Sequence, residues 1–231
     1  IIALDGHPVT PHSPNDGKVV IGPAMRVDLL LDMSADPSLP YPVTDDYYRD
    51  RAYSLLDLVY SNSPVREQPL EGRIELPPNP LPEPDLSSAL NHEIVFEGGA
   101  MGSMDGATVN GTWQDIRTMA HNGRFWSING IAASGHIMDP LLTVETGTTC
   151  VLSLQNRTAW PHPIHLHGHS FRILSRNGKP STYREWQDTV LLEREDQVEI
   201  AFVADNPGDW MFHCHILEHQ ASGMMGVLRV A

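Results

Sequence analysis

Residues 213–219, near the end of the chain, limit the folds that this sequence can adopt. They read His-Cys-His-Ile-Leu-Glu-His, and Met224 follows five residues after the last histidine. On a β-strand, successive side chains point to opposite faces, so Cys214 would face away from His213 and His215. The segment therefore predicts a strand that carries metal-ligating side chains on both of its faces.

A second histidine-rich segment, residues 162–169, repeats this geometry with the sequence His-Pro-Ile-His-Leu-His-Gly-His. His165 and His167 are two residues apart, so a strand would project them from the same face. His162 lies three residues before His165 and would project from the opposite face. The expected groups are His162, Cys214 and His219 on one side, and His165, His167, His213 and His215 on the other.

The donor types in the first group indicate a particular metal. A thiolate, two imidazoles and a weak axial thioether, here from Met224, together form the ligand set of a blue-copper centre. Zinc competes wherever cysteine and histidine cluster, but structural zinc closes four ligands around one ion and usually uses more than one cysteine. Ligands at this two-face spacing therefore favour copper over zinc.

The two segments resemble the C-terminal copper-binding motifs of the multicopper oxidases, a family that includes laccases and copper-efflux oxidases. The family patterns are H-P-x-H-L-H-G-H and H-C-H-x-x-x-H-x-x-x-x-M, and this chain matches both at every ligand position. The Asp-Trp-Met-Phe text at 209–212 also enters the second motif much as the family's G-x-W-x-F text does. The resemblance is specific within residues 140–230 and weaker before them.

The resemblance implies a role for each ligand. The type 1 copper ligands would be His162, Cys214 and His219, with Met224 axial; His165 would hold the type 2 copper; and His167, His213 and His215 would hold the type 3 pair. It also implies an oxidoreductase that takes single electrons from a reducing substrate at the type 1 copper. The electrons would pass through Cys214 to His213 and His215, towards a trinuclear copper cluster that reduces O₂ to water.

The resemblance also implies that this chain carries only half of the histidines of that cluster. The other half would come from an N-terminal domain with its own His-x-His pairs. The remaining histidines here form no such pair: they are His7, His12, His92, His121, His136 and His169. The chain starts at Ile1, without an initiator methionine or a signal peptide. We therefore expect the C-terminal part of a longer oxidase, active only with an N-terminal fragment or chain, and by resemblance periplasmic or secreted.

Charge and hydrophobicity exclude two classes of partner. The chain has 231 residues and a formal net charge of −14, whereas nucleic-acid-binding domains carry a basic surface. No apolar run approaches the roughly 18 residues that cross a membrane, so we expect neither nucleic acid nor a membrane as a partner. The two cysteines are Cys150 and Cys214. Since one is assigned to copper, we expect no internal disulfide and a small apolar core position for Cys150.

The chain divides into three stretches. Residues 1–60 carry strand-like runs, and their Gly-Pro-x-x-Arg-Val-Asp text resembles the end of a middle cupredoxin-like domain. Residues 61–90 contain seven prolines and predict a stiff linker, with a ligand for a proline-recognition domain as the alternative. Residues 91–231 are expected to form one all-β C-terminal domain with the type 1 copper and half of the trinuclear site.

Turn signals such as Asn129-Gly130 and Asn177-Gly178 separate short strand-like runs within the last stretch. The candidate strands are residues 93–96, 125–128, 141–144, 150–154, 171–174, 189–192, 197–202 and 227–230. About eight short strands of this kind predict a Greek-key β-sandwich, the cupredoxin fold that the resemblance implies. A short helix is expected around residues 216–220.

Three further features have two interpretations each. Asp188 either orients a copper-bound imidazole or is a surface carboxylate, because ligating histidines usually donate their other N–H to a carboxylate or carbonyl. Glu218 either tunes the site and guides a substrate or is simply exposed to solvent. The glycine-rich loop at 98–106 and nearby methionines either form a weak copper(I) thioether site or belong to a flexible loop. The methionines concerned are Met101, Met104 and Met119.

The substrate and one alternative function remain open. Phenols, aromatic amines and metal ions are all candidate reducing substrates. The alternative is a blue-copper electron-transfer protein without oxidase activity, which would have no use for the four histidines of the second group. A copper-free scaffold protein would be expected to have lost ligands, and no motif position is lost here.

Overall fold

The computed structural model describes residues 1–63, 65–66, 68, 71–72, 74–135 and 139–231. The first part of the chain contains β1 (Ala3–Leu4), β2 (His7–Pro8), β3 (Val27–Asp28), β4 (Tyr41–Asp45) and β5 (Tyr53–Leu58), with 3-10 turns at Asn15–Gly17 and Arg49–Arg51. The rest contains β6 (Leu90–Gly98), β7 (Gly106–Val109), β8 (Thr112–Asp115), α1 (Ile116–His121), β9 (Trp126–Ile128), β10 (Leu142–Val144), β11 (Thr149–Asn156), β12 (His162–Leu166), β13 (Phe171–Arg176), β14 (Lys179–Pro180), β15 (Trp186–Gln187), β16 (Thr189–Leu192), β17 (Gln197–Val203), β18 (Gly208–Cys214), α2 (Leu217–Ala221) and β19 (Met225–Val230).

Two sheets built from the later strands form a cupredoxin-like sandwich. One sheet has five strands in the order β10-β19-β18-β12-β16. The other has seven, along the path β14-β13-β17-β11-β6-β9 with β15 beside β13. The all-β prediction is confirmed, since each candidate strand overlaps an observed one. The short helix expected around residues 216–220 is α2.

The predicted turns form because their residues tolerate a left-handed backbone. Asn177 and Gly178 join β13 to β14 with φ values of +51° and +73°. Positive φ at both central positions is the type I′ hairpin turn that Asn-Gly favours. Asn129 and Gly130 adopt the same signs after β9, and the Asn129 side chain accepts a hydrogen bond from the backbone N–H of Val95 at 2.7 Å.

The core lies between the two sheets and extends to the histidine-rich strands. Phe96 from the seven-stranded sheet and Phe212 from the five-stranded sheet are both fully buried, with ring centroids 6.1 Å apart. Cys150 is fully buried in the same cluster, as predicted. Cys214 and Met224 also belong to it. The core therefore forms one wall of the candidate metal site.

A second, smaller core involves elements that were not predicted. The β7–β8 hairpin and α1 enclose Met119, which is fully buried, and Met104 packs against this cluster. Asp115 caps α1 by accepting hydrogen bonds from the next turn. Met101 is 80% exposed. Met119 is thus a buried core residue, whereas the Met101 side chain is exposed to solvent.

The first part of the chain contacts the sandwich through β1–β3. The His7 Nε2 atom lies 2.9 Å from Ser170 Oγ. β4 and β5 pair with each other and leave most of their side chains exposed. The division into stretches 1–60, 61–90 and 91–231 stays a prediction, and part of the proline-rich stretch, like His136, lies outside the described residues. Within the described ranges, neither length nor apolarity qualifies any helix as a membrane span.

Replacing Leu152, which is fully buried on β11, with alanine should lower the free energy of unfolding by about 2–5 kcal/mol, because the change leaves a cavity in the core. Leu39, which is 53% exposed, is the matched control, and its replacement with alanine should change stability by less than about 0.5 kcal/mol. Urea unfolding followed by circular dichroism measures both. Equal losses for the two variants would contradict the assigned core.

Candidate metal centre

Strands β12 and β18 bring the two histidine-rich segments side by side. They pair antiparallel in the middle of the five-stranded sheet, with Ile164 opposite Cys214 and His165 opposite His213. Residues that face each other across an antiparallel pair point to the same side of the sheet. His165 and His213 therefore share one face, and Cys214 lies on the other.

The first group of side chains, the Cys–His₂ cluster, consists of His162, Cys214 and His219. The Cys214 Sγ atom lies 3.6 Å from His162 Nδ1 and 3.7 Å from His219 Nδ1. The two Nδ1 atoms are 3.1 Å apart. His219 reaches the cluster because the chain turns into α2 directly after β18. The three ligand atoms, which lie within 4.8 Å of one another, thus converge on one point.

The spacing and burial of the Cys–His₂ cluster fit a bound metal ion. With thiolate and imidazole bonds of about 2.3 and 2.0 Å, a trigonal site places sulfur and nitrogen about 3.7 Å apart. Burial lowers the pKa of His162 to about 3 and raises the pKa of the Cys214 thiol to about 12. The imidazole is therefore neutral and free to ligate, whereas the thiol is stable as a thiolate only beside a cation.

Met224 is tied to the same cluster through the backbone. Its side chain is fully buried. Its N–H donates to His219 O at 3.0 Å, and its carbonyl accepts from Cys214 N–H at 3.1 Å. The neighbouring Met225 instead has its sulfur 3.9 Å from the Gln220 side-chain nitrogen.

A buried network that sequence reasoning missed orients His162. The His162 Nε2 atom lies 2.7 Å from Thr158 Oγ1. Thr158 donates its hydroxyl hydrogen to Asn156 Oδ1 at 2.8 Å, and the Asn156 amide donates to Trp160 O and Glu193 O. Because its hydrogen is used there, Thr158 accepts from His162 Nε2–H. This leaves the lone pair of Nδ1 facing Cys214.

Trp126 closes the cluster, and the glycine-rich loop makes room for it. Its ring centroid lies 5.0 Å from that of His162 and 4.3 Å from that of His219. Gly99 has a φ of +75°, and a Cβ atom there would lie 2.1 Å from the Trp126 ring. A glycine is therefore required at this position. The sequence indicated Trp126 only as part of a strand.

The second group, the four-histidine group, consists of His165, His167, His213 and His215. Five of the six ring pairs in this group have centroids between 4.9 and 5.9 Å apart. The His213 Nδ1–H donates to Cys214 O at 2.9 Å, since a carbonyl can only accept. The unprotonated Nε2 of His213 then lies 3.1 Å from His167 Nε2. Burial lowers the pKa of His213 to about 4 and also lowers that of His167, so both imidazoles are neutral at neutral pH.

The loop after β12 is fixed by one glycine and one tryptophan. Gly168 has a φ of +72°, and a Cβ atom there would lie 2.3 Å from the ring of Trp210. The Trp210 indole N–H donates to Asn206 O at 2.7 Å, and the Asn206 amide donates to Gly168 O at 3.0 Å. The two histidine-rich segments are thus connected beyond their paired strands.

Asp188 and Glu218 have different surroundings. The Asp188 carboxylate lies 3.5 Å from His165 Nδ1 and pairs with the Arg26 guanidinium at 2.7 Å. Burial opposes its ionisation, but hydrogen bonds from His165, Arg26 and Thr189 hold its pKa well below the usual range. Glu218 is exposed in the first turn of α2. Its charge raises the pKa of His219, against the larger lowering effect of burial.

Comparison with known proteins identifies the family. The sequence profile described as multicopper oxidase matches residues 109–231. The chain is 40% identical over 99 residues to the multicopper oxidase MmcO of Mycobacterium tuberculosis, which covers 43% of this chain and 18% of that protein. It is 31% identical over 148 residues to a laccase of Neurospora crassa, which covers 45% of this chain and 23% of the laccase.

A solved structure extends the similarity to the whole chain. The multicopper oxidase from Pseudomonas thermotolerans superposes with a TM-score of 0.75 at 30% identity, covering 100% of this chain and 49% of that protein. This chain therefore spans about half the length of that relative. The profile match covers more than half of the sequence, and the fold agrees with it. The chain belongs to the multicopper oxidase family.

Proposed function

We propose that this chain holds the type 1 copper and half of the trinuclear copper site of an oxidase that takes single electrons from a reducing substrate and reduces O₂ to water. The observation that carries the proposal is the position of Cys214. Its Sγ faces His162 and His219, while its chain neighbours His213 and His215 lie in the four-histidine group.

The donor atoms of the two groups suit the copper types that the family uses. His162, Cys214, His219 and Met224 would hold the type 1 copper, His165 would hold the type 2 copper, and His167, His213 and His215 would hold the type 3 pair. Copper bound at these ligands supplies one-electron redox chemistry and, at the trinuclear site, the binding of O₂.

The surrounding residues set the tautomer of His162 and shield Cys214, two of the proposed type 1 ligands. Thr158 fixes the tautomer of His162, and Trp126 together with the core excludes water from Cys214. His162 is fully buried, whereas His219 is partly exposed. A reducing substrate therefore approaches closest on the side of His219.

A partner and a location belong to the same proposal. The four-histidine group has three partly exposed members, and an N-terminal fragment or chain with His-x-His pairs would complete the site on their open side. This chain covers 49% of the Pseudomonas thermotolerans relative, which supports the proposal of such a fragment or chain. Substrate candidates are a phenol, an aromatic amine or a metal ion, and the location is periplasmic or secreted.

Replacing Cys214 with serine should abolish the intense blue thiolate-to-copper absorption, because a hydroxyl cannot supply the soft ligand. Cys150→Ser is the matched control, since Cys150 is the other cysteine and is buried in the core away from the cluster. Visible absorption of the copper-loaded variants is the measurement. A blue Cys214→Ser protein would overturn the type 1 assignment.

Replacing Met224 with leucine should raise the reduction potential of the type 1 copper, because loss of an axial thioether destabilises Cu(II) relative to Cu(I). Met225→Leu removes a thioether that lies beside Gln220 instead and should leave the potential unchanged. Redox titration of the blue absorption compares the two variants. An unchanged or lowered potential in Met224→Leu would show that Met224 is not the axial ligand.

Residues 1–231 expressed alone should bind at most one copper ion firmly and should not reduce O₂, because the four-histidine group supplies only half of the proposed cluster. Copper analysis after dialysis and an oxygen electrode provide the two measurements. Oxidase turnover with no companion fragment visible by mass spectrometry would overturn the proposal that a partner fragment is required. The electron-transfer alternative makes a different prediction. The Cys–His₂ cluster alone would bind copper firmly, and adding candidate partner fragments would produce no oxidase turnover.

A further inference from the structure

Asp188 occupies a corner of the sandwich where regular strand pairing is interrupted. It is the single residue between β15, which belongs to the seven-stranded sheet, and β16, which belongs to the five-stranded sheet. Its backbone therefore passes from one sheet to the other. The next residue, Thr189, lies directly opposite His165 in the β12–β16 pair. This corner is the immediate support of His165.

Two acceptors at the corner determine which nitrogen of His165 carries hydrogen. The His165 Nδ1 atom lies 2.9 Å from both Asp188 O and Thr189 Oγ1. Thr189 donates its hydroxyl hydrogen to Asp188 Oδ1 at 2.8 Å, so Oγ1 is an acceptor towards the ring. Since a carbonyl also only accepts, Nδ1 is protonated, and the lone pair of Nε2 is left for a metal.

A buried carboxylate near the start of the chain binds the backbone of the Asp188–Thr189 corner. The Asp5 side chain is fully buried. Its Oδ2 accepts from the backbone N–H groups of Asp188 at 3.1 Å and Thr189 at 3.2 Å, and its Oδ1 accepts from Arg26 N–H at 2.8 Å. A carboxylate buried in this way is stable only when its acceptors are satisfied. These hydrogen bonds therefore fix the peptide that supports His165.

The Arg26 guanidinium holds the same corner by its side chain. Its two terminal nitrogens donate to the two carboxylate oxygens of Asp188 at 2.8 and 2.7 Å, and one of them also donates to Asp5 O at 2.9 Å. Two parallel charge-assisted hydrogen bonds fix orientation as well as distance. Arg26 thus sets the direction of the carboxylate that faces Thr189 and His165.

We propose that Asp5 and Arg26 are positioning residues for His165: they hold the Asp188–Thr189 corner so that the imidazole presents Nε2 to the metal. The inference rests on the proposed function only for the identity of that metal. The segment that carries Asp5 and Arg26, although distant in sequence, would thus determine the tautomer of His165. Such outer hydrogen bonds typically change metal affinity by about 10–100-fold when removed.

The test is the tautomer of His165 in the metal-free chain, read by ¹H–¹⁵N NMR on histidine-labelled protein. Wild-type residues 1–231 should show only the Nδ1–H form. Asp5→Ala and Arg26→Gln should each produce a mixture with the Nε2–H form. Arg229→Gln is the matched control, because Arg229 makes a similar two-pronged pair with Asp209 that does not contact the corner.

A second measurement relates the tautomer to metal binding. After the blue site has been filled, further Cu²⁺ should bind the four-histidine group of Arg26→Gln about 10–100-fold more weakly than that of the wild type. The blue absorption itself should be unchanged, since no hydrogen bond or ion pair among the described residues joins the Cys–His₂ cluster to the corner. Arg26→Lys serves as the second variant if Arg26→Gln does not fold. Lysine keeps the charge but cannot donate two parallel hydrogen bonds to the Asp188 carboxylate.

Two results would overturn the proposal. One is a folded Arg26 variant in which His165 keeps the pure Nδ1–H form and its wild-type Cu²⁺ affinity. The other is that the variants lose stability while the His165 tautomer stays unchanged. Asp5 and Arg26 would then stabilise the fold without positioning His165. Failure of the copper oxidase proposal would appear separately, as absence of the blue absorption, because the NMR measurement requires no metal.

Discussion

Side chains alternate along β18, and this strand is held on both edges by β12 and β19. A shift of one residue would move Cys214 to the face of the histidines and His213 into the core. Pairing on both edges, together with the burial of Phe212 and Cys214, prevents such a shift. Two groups of different chemistry can therefore share one strand only because the sandwich fixes its register.

Burial determines the charge state of the side chains in the Cys–His₂ cluster. The core that stabilises the sandwich also surrounds His162 and Cys214, so the imidazole is neutral and the thiol keeps its proton unless a cation enters. Thr158 and Trp126 add a hydrogen bond and a ring contact to this enclosure, and neither brings a charge. By contrast, the four-histidine group lies beside the ionised Asp188. The two faces thus offer a bound metal different electrostatic surroundings.

The sandwich and both groups could be predicted from the sequence because their signals are local. Alternating strands, Asn-Gly turns and the spacing of histidines within each motif depend on neighbouring residues. The β7–β8 hairpin and α1 gave no such signal, since three of the four residues at 112–115 are polar, the fourth, Trp113, is exposed, and α1 buries only Met119. Asp5 and Arg26 could not be assigned either, because the corner residues that they hold, Asp188 and Thr189, lie more than 160 residues away in sequence. Contacts of that kind depend on how the chain packs.

The contact of Gly168 with Trp210 has a consequence for how related sequences are compared. No side chain fits at residue 168 while an indole occupies residue 210. The glycine inside the first motif and the tryptophan ahead of the second are therefore one steric unit, although the motifs are searched for separately. Among relatives, we expect the two positions to covary: a larger residue at the first should accompany a smaller one at the second. Such linked changes would trace how the two motifs evolved together.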